Sequence, residues 1–312
     1  MPINSFTSQS LAILMWNANG LSNHRNELIT VLNDKRIDLA LISETHFTSH
    51  TKFSIPGYNI ITSNHPDNTA HAGAAIIIKS SLLLTPCQSI QENYLQSAIL
   101  TIKLNHIPVT IAATYFPPKH KITLIQYEHF FNSLGHYFIV GGDLNAKNQF
   151  WGCHTTNPKG RTLLQLANLK KYSILAPPDP TYWPTSISKR PDILDIFITF
   201  TPNSFQNIIK NLLEPCSDHT SVLLSIDAQP STQPRQPSLT NGSMDWGKFR
   251  KIIEQKVVLK TRLKHPNDIE DAIQYFTETI QSAAWSSSTQ IPPRSQNSFP
   301  IPIHIRELIA KK

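Results

Sequence analysis

Eight short apolar runs, rich in β-branched residues, punctuate residues 1–227, and several of them stop on a polar side chain. They are Leu11–Trp16, Asp38–Ser43, Ala74–Lys79, Ser97–Leu104, Val109–Tyr115, Tyr137–Gly141, Ile193–Thr199 and Ser221–Ile226. Runs of this length and composition predict strands. Apolar residues three and four apart predict helices over 24–34, 122–134 and 160–171. Only Asn105–Pro108 separates two of the strands, too few residues for a crossover, so the sheets must be antiparallel or mixed. The predicted fold class is α/β, with mixed sheets covered by helices.

Composition sets the outer bounds. A chain of 312 residues, 40% of them hydrophobic, can bury a core without staples and still carry an appendage. Three distant cysteines (Cys87, Cys153, Cys216) exclude a disulfide framework and favour a reducing, intracellular setting. No apolar run approaches the roughly 20 residues of a membrane span. The opening MPINSFTSQS lacks the basic-then-apolar order of a secretory signal, so no membrane partner is expected. The net charge of +7 is lopsided: 12 Lys/Arg face 7 Asp/Glu beyond residue 227, against 16 and 14 before it. A basic total suits a polyanion partner. A solvated lysine-rich helix explains the tail equally well.

The chemistry lies at the strand ends. Asn17 and Asn19 follow the first run and share one face by the two-residue period. Glu44 closes the second run. Asp143 and Asn145 follow Gly141-Gly142, where the chain can approach other backbone closely. Asp195 sits between Leu194 and Ile196, where a carboxylate needs a partner. His219, in Ser217-Asp218-His219, is its natural partner and a usable base or cation. Singly these have bland readings: a turn at Asn19-Gly20, a solvated Glu44, a loop at Asp143. Jointly they make an oxygen-rich donor set that favours Mg²⁺, or alternatively Mn²⁺, over zinc. Zinc lacks its spacings: there is no C-x-x-C or H-E-x-x-H, and Cys216-x-x-His219 has no second pair. Neither G-x-G-x-x-G nor a GK[ST] loop occurs, which removes the common nucleotide-binding folds.

In their order these blocks resemble the endonuclease/exonuclease/phosphatase superfamily, and within it the endonuclease domains of Jockey-like non-LTR retrotransposons. The resemblance rests on WNANGL at 16–21, ISETHF at 42–47, IPGYNIITS at 55–63, TYFPP at 114–118, FIVGGDLNAKNQFWG at 138–152, DILDIFIT at 192–199 and SDH at 217–219. It implies a four-layered α/β sandwich, two packed mixed sheets flanked by helices, over residues 1–227. It implies Glu44 as principal metal ligand, with Asn17 beside it and Asp218 completing the acidic cluster. It further implies that Tyr115 contacts the scissile phosphate, Asp143 orients or activates water, and Asn145 hydrogen-bonds phosphoryl oxygens. Asp195 and His219 would form the oriented pair. The implied activity is a Mg²⁺-dependent nick in target DNA, made in the nucleus, whose 3′-hydroxyl primes reverse transcription. The implied partners are DNA, the element's RNA and a reverse transcriptase domain. Two departures stand out: Asn19 occupies a position that is acidic in apurinic endonucleases, and Ala72-Gly73-Ala74 replaces a common glycine pair. His24, His46, His65 and His71 read as surface residues, Trp151 and Gly152 as loop-shaping, and Lys147 and Arg161 as candidate phosphate contacts.

The remainder has a different character. Residues 228–243 are Pro/Gln/Ser-rich and predict a linker. Residues 244–312 predict a helical hairpin and a connector. Asp245 would cap a helix bearing Trp246, Phe249, Ile253 and Val257 on one face. Asn267 would cap a second, bearing Ile269, Ile273, Phe276 and Ile280. DWGKFRKIIE resembles the segment joining such a nuclease to its polymerase, yet no F-x-D-D or Y-x-D-D box is present. The expectation is a chain cut short of a reverse transcriptase. The competing readings are an inactive retroelement remnant and a phosphoesterase of the same superfamily.

Overall fold

The computed structural model describes residues 10–186, 188–233, 239, 243–257 and 264–289. By internal contact the chain divides into two units, 1–234 and 235–312. Among the described residues the first unit holds thirteen strands in two sheets. One contains β1 (Leu11–Asn17), β2 (Leu39–Ser43), β3 (Tyr58–Ser63), β4 (Ala74–Lys79), β12 (Asn207–Cys216) and β13 (Thr220–Ile226), in the order β12-β13-β1-β2-β4-β3. The other contains β5 (Leu84–Pro86), β6 (Ile90–Glu92), β7 (Leu95–Leu104), β8 (Ile107–Tyr115), β9 (Phe138–Asp143), β10 (Ser173–Leu175) and β11 (Asp195–Phe200). Its order is β10-β11-β9-β8-β7-β5, with β6 also paired to β7. Each sheet has one parallel pair, β1 with β2 and β8 with β9, and every other pairing is antiparallel.

Three apolar layers hold the sandwich. Ile13, Met15, Leu41 and Ile76 of the first sheet meet Leu100, Ile111, Ile139 and Phe197 of the second. On one outer face α1 (Arg25–Asp34) lays Leu28, Val31 and Leu32 against Leu14, Ala40, Ile42 and Ile77. On the other, α2 (Leu124–Ser133) and α3 (Pro158–Lys170) bring Tyr127, Phe130, Phe131, Leu163 and Leu166 against Phe138, Val140, Ile196 and Ile198. Strands covered on both faces have no reason to alternate, so they read as continuous apolar runs. All eight expected strands form, with ends displaced by no more than two residues. The helix starts follow local chemistry. Thr123 and Gln126 close a capping box before α2, and Asn157 accepts the Gly160 N–H ahead of Pro158 at the first turn of α3.

Residues 228–233, expected to begin the linker, are instead held against the first unit. Ala228 is buried, Pro230 bridges to Leu104 and Thr232 to Leu82. In the second unit Asp245 caps α4 (Trp246–Lys256) as expected, accepting the Lys248 N–H, but Val257 lies past its end in extended backbone. The next helix, α5 (Pro266–Ser287), is capped by His265, not Asn267, because Pro266 takes the first helical position that its fixed φ favours. Ile269, Ile273 and Phe276 are about half exposed, while Thr279, Ala283, Ala284 and Ser287 are buried. The Pro-rich stretch from Ile291 lies outside the described residues. Among the described residues no helix is long and apolar enough to cross a membrane.

Candidate active site

The site forms where the ends of β1, β2, β8 and β9 meet the starts of β11 and β13. In the antiparallel β9–β11 ladder Asp143 stands directly opposite Asp195, and each is 1% exposed. Adjacent buried carboxylates are tolerable only when bonded. Asp195 Oδ2 lies 2.7 Å from His219 Nδ1. Asp143 accepts from Asn17 Nδ2 at 3.0 Å and from the Asn145 N–H at 2.9 Å. Burial opposes a charge on His219, but Asp195, Asp143 and Asp218 outweigh it and push its pKa up to about 9. Burial pushes Asp143 up to about 7, helped by Asp195 and Glu44 and opposed by His219 and the Asn145 N–H.

A strap at 181–183 brings Asp195 and His219 together. The Thr181 hydroxyl accepts from the Leu194 and Asp195 N–H groups. The Thr220 N–H donates to the Thr181 carbonyl, and the Trp183 N–H to that of Asp218. Tyr182 packs its ring 5.0 Å from that of His219.

The rim is built differently. Glu44 follows β2 in left-handed backbone, φ 51°, with His46 at φ 56°. That reversal turns the Glu44 carboxylate to Asn17 Nδ2, 2.9 Å away, and brings His46 Nε2 to 3.5 Å. Burial would raise the Glu44 pKa, but hydrogen bonds from His46, Asn17 and Tyr115 and the charge of His219 lower it overall. Burial raises the Tyr115 hydroxyl, helped by the charges of Glu44 and Asp143, so it stays a donor. His46, expected on the surface, is thus a site residue. Ser43 links the sheets: its hydroxyl donates to the Thr114 carbonyl and accepts the Asp143 N–H at 3.0 Å. Beside it, Gly142 has φ 153°, and a Cβ there would meet the Thr114 carbonyl oxygen at 1.8 Å.

The donor set fits a hard cation. Its groups are carboxylate and amide oxygens, and Asp195 Oδ1 is buried without a hydrogen-bond partner, a costly state unless something polar meets it. Glu44 is the anionic group nearest the rim. Asn17 turns its NH₂ between Glu44 and Asp143 and its carbonyl oxygen to the Asn19 N–H, so as arranged it orients the carboxylates. Asp218 is bonded to Asn19 Nδ2 at 3.3 Å, at the margin of the network. Asn145, also left-handed at φ 47°, meets Asp143 through its backbone. Lys147 pairs with buried Asp192 at 2.9 Å, which takes up the charge expected for phosphate. Arg161 is exposed, and Trp151 is buried with its ring N–H on the Ala146 carbonyl. Sequence reasoning missed Ser43, Thr181 and Lys159. The Lys159 ammonium is buried and donates to the Phe116 and Pro117 carbonyls; burial lowers its pKa to about 8 against the pull of Asp143.

Comparison with known proteins finds relatives for this chain. Residues 109–223 match the family described as Endonuclease-reverse transcriptase. The RNA-directed DNA polymerase from mobile element jockey of Drosophila melanogaster is 32% identical over 89% of this chain. The probable polymerase from transposon X-element of the same fly is 30% identical over 97%. These matches bear out the resemblance to retrotransposon endonucleases of the endonuclease/exonuclease/phosphatase type. The chain spans about a third of the length of these two polymerase relatives, 30% of the first and 34% of the second. The endonuclease domain of TRAS1, a telomere-specific non-LTR retrotransposon, shares the fold at a TM-score of 0.56 and 18% identity, over 72% of this chain and 100% of that one. An AP endonuclease from Leishmania major shares it at 0.56 and 13%, over 73% and 89%.

Proposed function

We propose that this chain is a divalent-metal-dependent DNA endonuclease that nicks target DNA and leaves a 3′-hydroxyl from which the element's reverse transcriptase primes. The observation that carries the reading is one hydrogen-bonded network joining Glu44, Asn17 and Asp143, set against the Asp195–His219 pair. Glu44 would hold Mg²⁺, or Mn²⁺, with Asn17 able to join through its carbonyl after an amide flip and Asp218 adding charge. Bound there, the ion would neutralise charge developing on the phosphoryl oxygens. Tyr115, kept protonated, would turn its single O–H from Glu44 to the scissile phosphate, and Asn145 adds a further donor. Asp143, its pKa raised by burial, orients the attacking water and takes its proton. His219 has Nδ1 committed to Asp195, so Nε2 is the nitrogen left for substrate. The nucleus is the setting this activity requires. The fold relatives, a retrotransposon endonuclease domain and an AP endonuclease, favour DNA as substrate.

The test is supercoiled plasmid incubated with the full chain and Mg²⁺, with and without EDTA. The expected result is an EDTA-sensitive open circle that a DNA polymerase extends, and no nicking by Glu44→Gln. Plasmid left supercoiled in both Mg²⁺ and Mn²⁺ would overturn the activity. A Glu44→Gln chain that nicks at the wild-type rate would remove Glu44 as the ligand.

A further inference from the structure

The connection between β3 and β4 carries a second constellation that the nuclease chemistry does not use. His65, Asp67 and His71 gather their ligand atoms within 4.8 Å of one another. Asp67 Oδ1 lies 2.9 Å from His65 Nδ1, and Oδ2 lies 3.7 Å from His71 Nε2. Thr69 fixes the arrangement. Its N–H and its hydroxyl donate to Asp67 Oδ1 at 2.9 and 3.0 Å, and the same oxygen, Oγ1, contacts His71 Nδ1. With the hydroxyl proton spent on Asp67, His71 Nδ1 must be the donor in that contact, which leaves the Nε2 lone pair facing the carboxylate. His65 Nδ1 also lies 3.4 Å from the Asp67 N–H, a long contact that an ion bound there would displace.

Two imidazole nitrogens and a carboxylate therefore converge within 4.8 Å of one another. The two rings stand side by side, their centroids 4.3 Å apart. One divalent ion meets all three ligands at once.

We propose that His65, Asp67 and His71 form a binding site for a single transition-metal ion of the zinc class, separate from the oxygen-rich site at Glu44. Two imidazoles and one carboxylate suit Zn²⁺ or Co²⁺ and disfavour Mg²⁺. Bonds of about 2.0–2.1 Å in tetrahedral geometry set ligand atoms roughly 3.3 Å apart, between the 2.9 and 3.7 Å found here. Three protein ligands leave a fourth position for water or a substrate oxygen. His65 and His71 also help line a groove of about 460 Å³ shared with Glu44, Tyr115, Lys119 and His120, so the ion would sit beside the path to the nuclease site. The Thr69 contact to His71 supplies the outer hydrogen bond that orients a metal-bound histidine.

Co²⁺ titration of the full chain in excess Mg²⁺, followed by visible absorption, tests the site without any activity measurement. The expected result is one equivalent bound and displaced by Zn²⁺, with binding lost in His65→Ala and in His71→Ala and weakened roughly tenfold in Thr69→Val. Glu44→Gln should bind as the wild type does, even if the nuclease reading fails. Unchanged binding in either histidine variant overturns the proposal, and so does loss in Glu44→Gln, which would put the ion at the carboxylates. The substitutions lie in a surface connection, and any one variant that melts with the wild type decides the question.

Discussion

The two sheets repeat one scheme of pairing, a parallel pair flanked by antiparallel strands, yet they mount their site residues in opposite ways. The second sheet holds Asp143 and Asp195 inside the β9–β11 ladder, both 1% exposed. The first holds Glu44 beyond its ladder, on a left-handed turn with its side chain 23% exposed. Charges inside a ladder are part of the sheet and must be neutralised for the sheet to exist. A charge on a turn is adjustable, because solvent and a neighbouring histidine share it. The difference separates residues whose loss should break the fold from those whose loss should break only the chemistry.

Asp195→Ala should show the largest effect. Removing one member of a buried pair strands the other, and about 3–5 kcal/mol of stability should go with it, read from urea denaturation. His219→Ala should cost rate and also stability, because it strands the buried Asp195 carboxylate. A double-mutant cycle on activity should give a coupled loss, and simple additivity would dissolve the pair as a unit.

Ser43→Ala comes next. It removes the acceptor of the Asp143 N–H at the sheet–sheet junction, so unfolding should move by roughly 1–3 kcal/mol. A variant as stable as the wild type would mean that the second sheet does not depend on this tie.

A smaller effect should follow pH. The folded pKa of His219 is raised to about 9, so its stabilising contribution is complete below about pH 6.5 and is lost as pH rises through about 9. In EDTA, the stability gap between wild type and His219→Gln should therefore shrink across that window. A gap that stays flat would mean that the ring is neutral in the fold.

Glu44→Gln should be the smallest, within about 0.5 kcal/mol of wild type. A loss comparable to that of Asp195→Ala would erase the distinction between the two sheets.

The same contrast governs what could be read from the chain. Strands buried on both faces, such as β4, announce themselves as apolar runs. The missed strands are edges or short pieces: β3 is mostly half-exposed, β12 carries Leu213 at 91% exposure, and β5, β6 and β10 span three residues each. Their pairing comes from a neighbour and not from their own composition. Asp143 and Asp195 were legible because a charge in an apolar strand demands a reason. Ser43 and Thr181 were not, since a small hydroxyl is ordinary anywhere and gains its role only when another strand arrives. His46 was taken for a surface residue because the two positive φ angles that fold it back onto Glu44 leave no mark in composition.

At Gly142 the backbone of β8 occupies the volume a side chain would need, so the floor of the site admits almost no variation. The connections beside it, 64–73 and 146–157 among them, carry exposed residues as well as buried ones. Under the proposed function, the cutting chemistry rests on this floor, and an exchanged connection is the place to look for a changed choice of target.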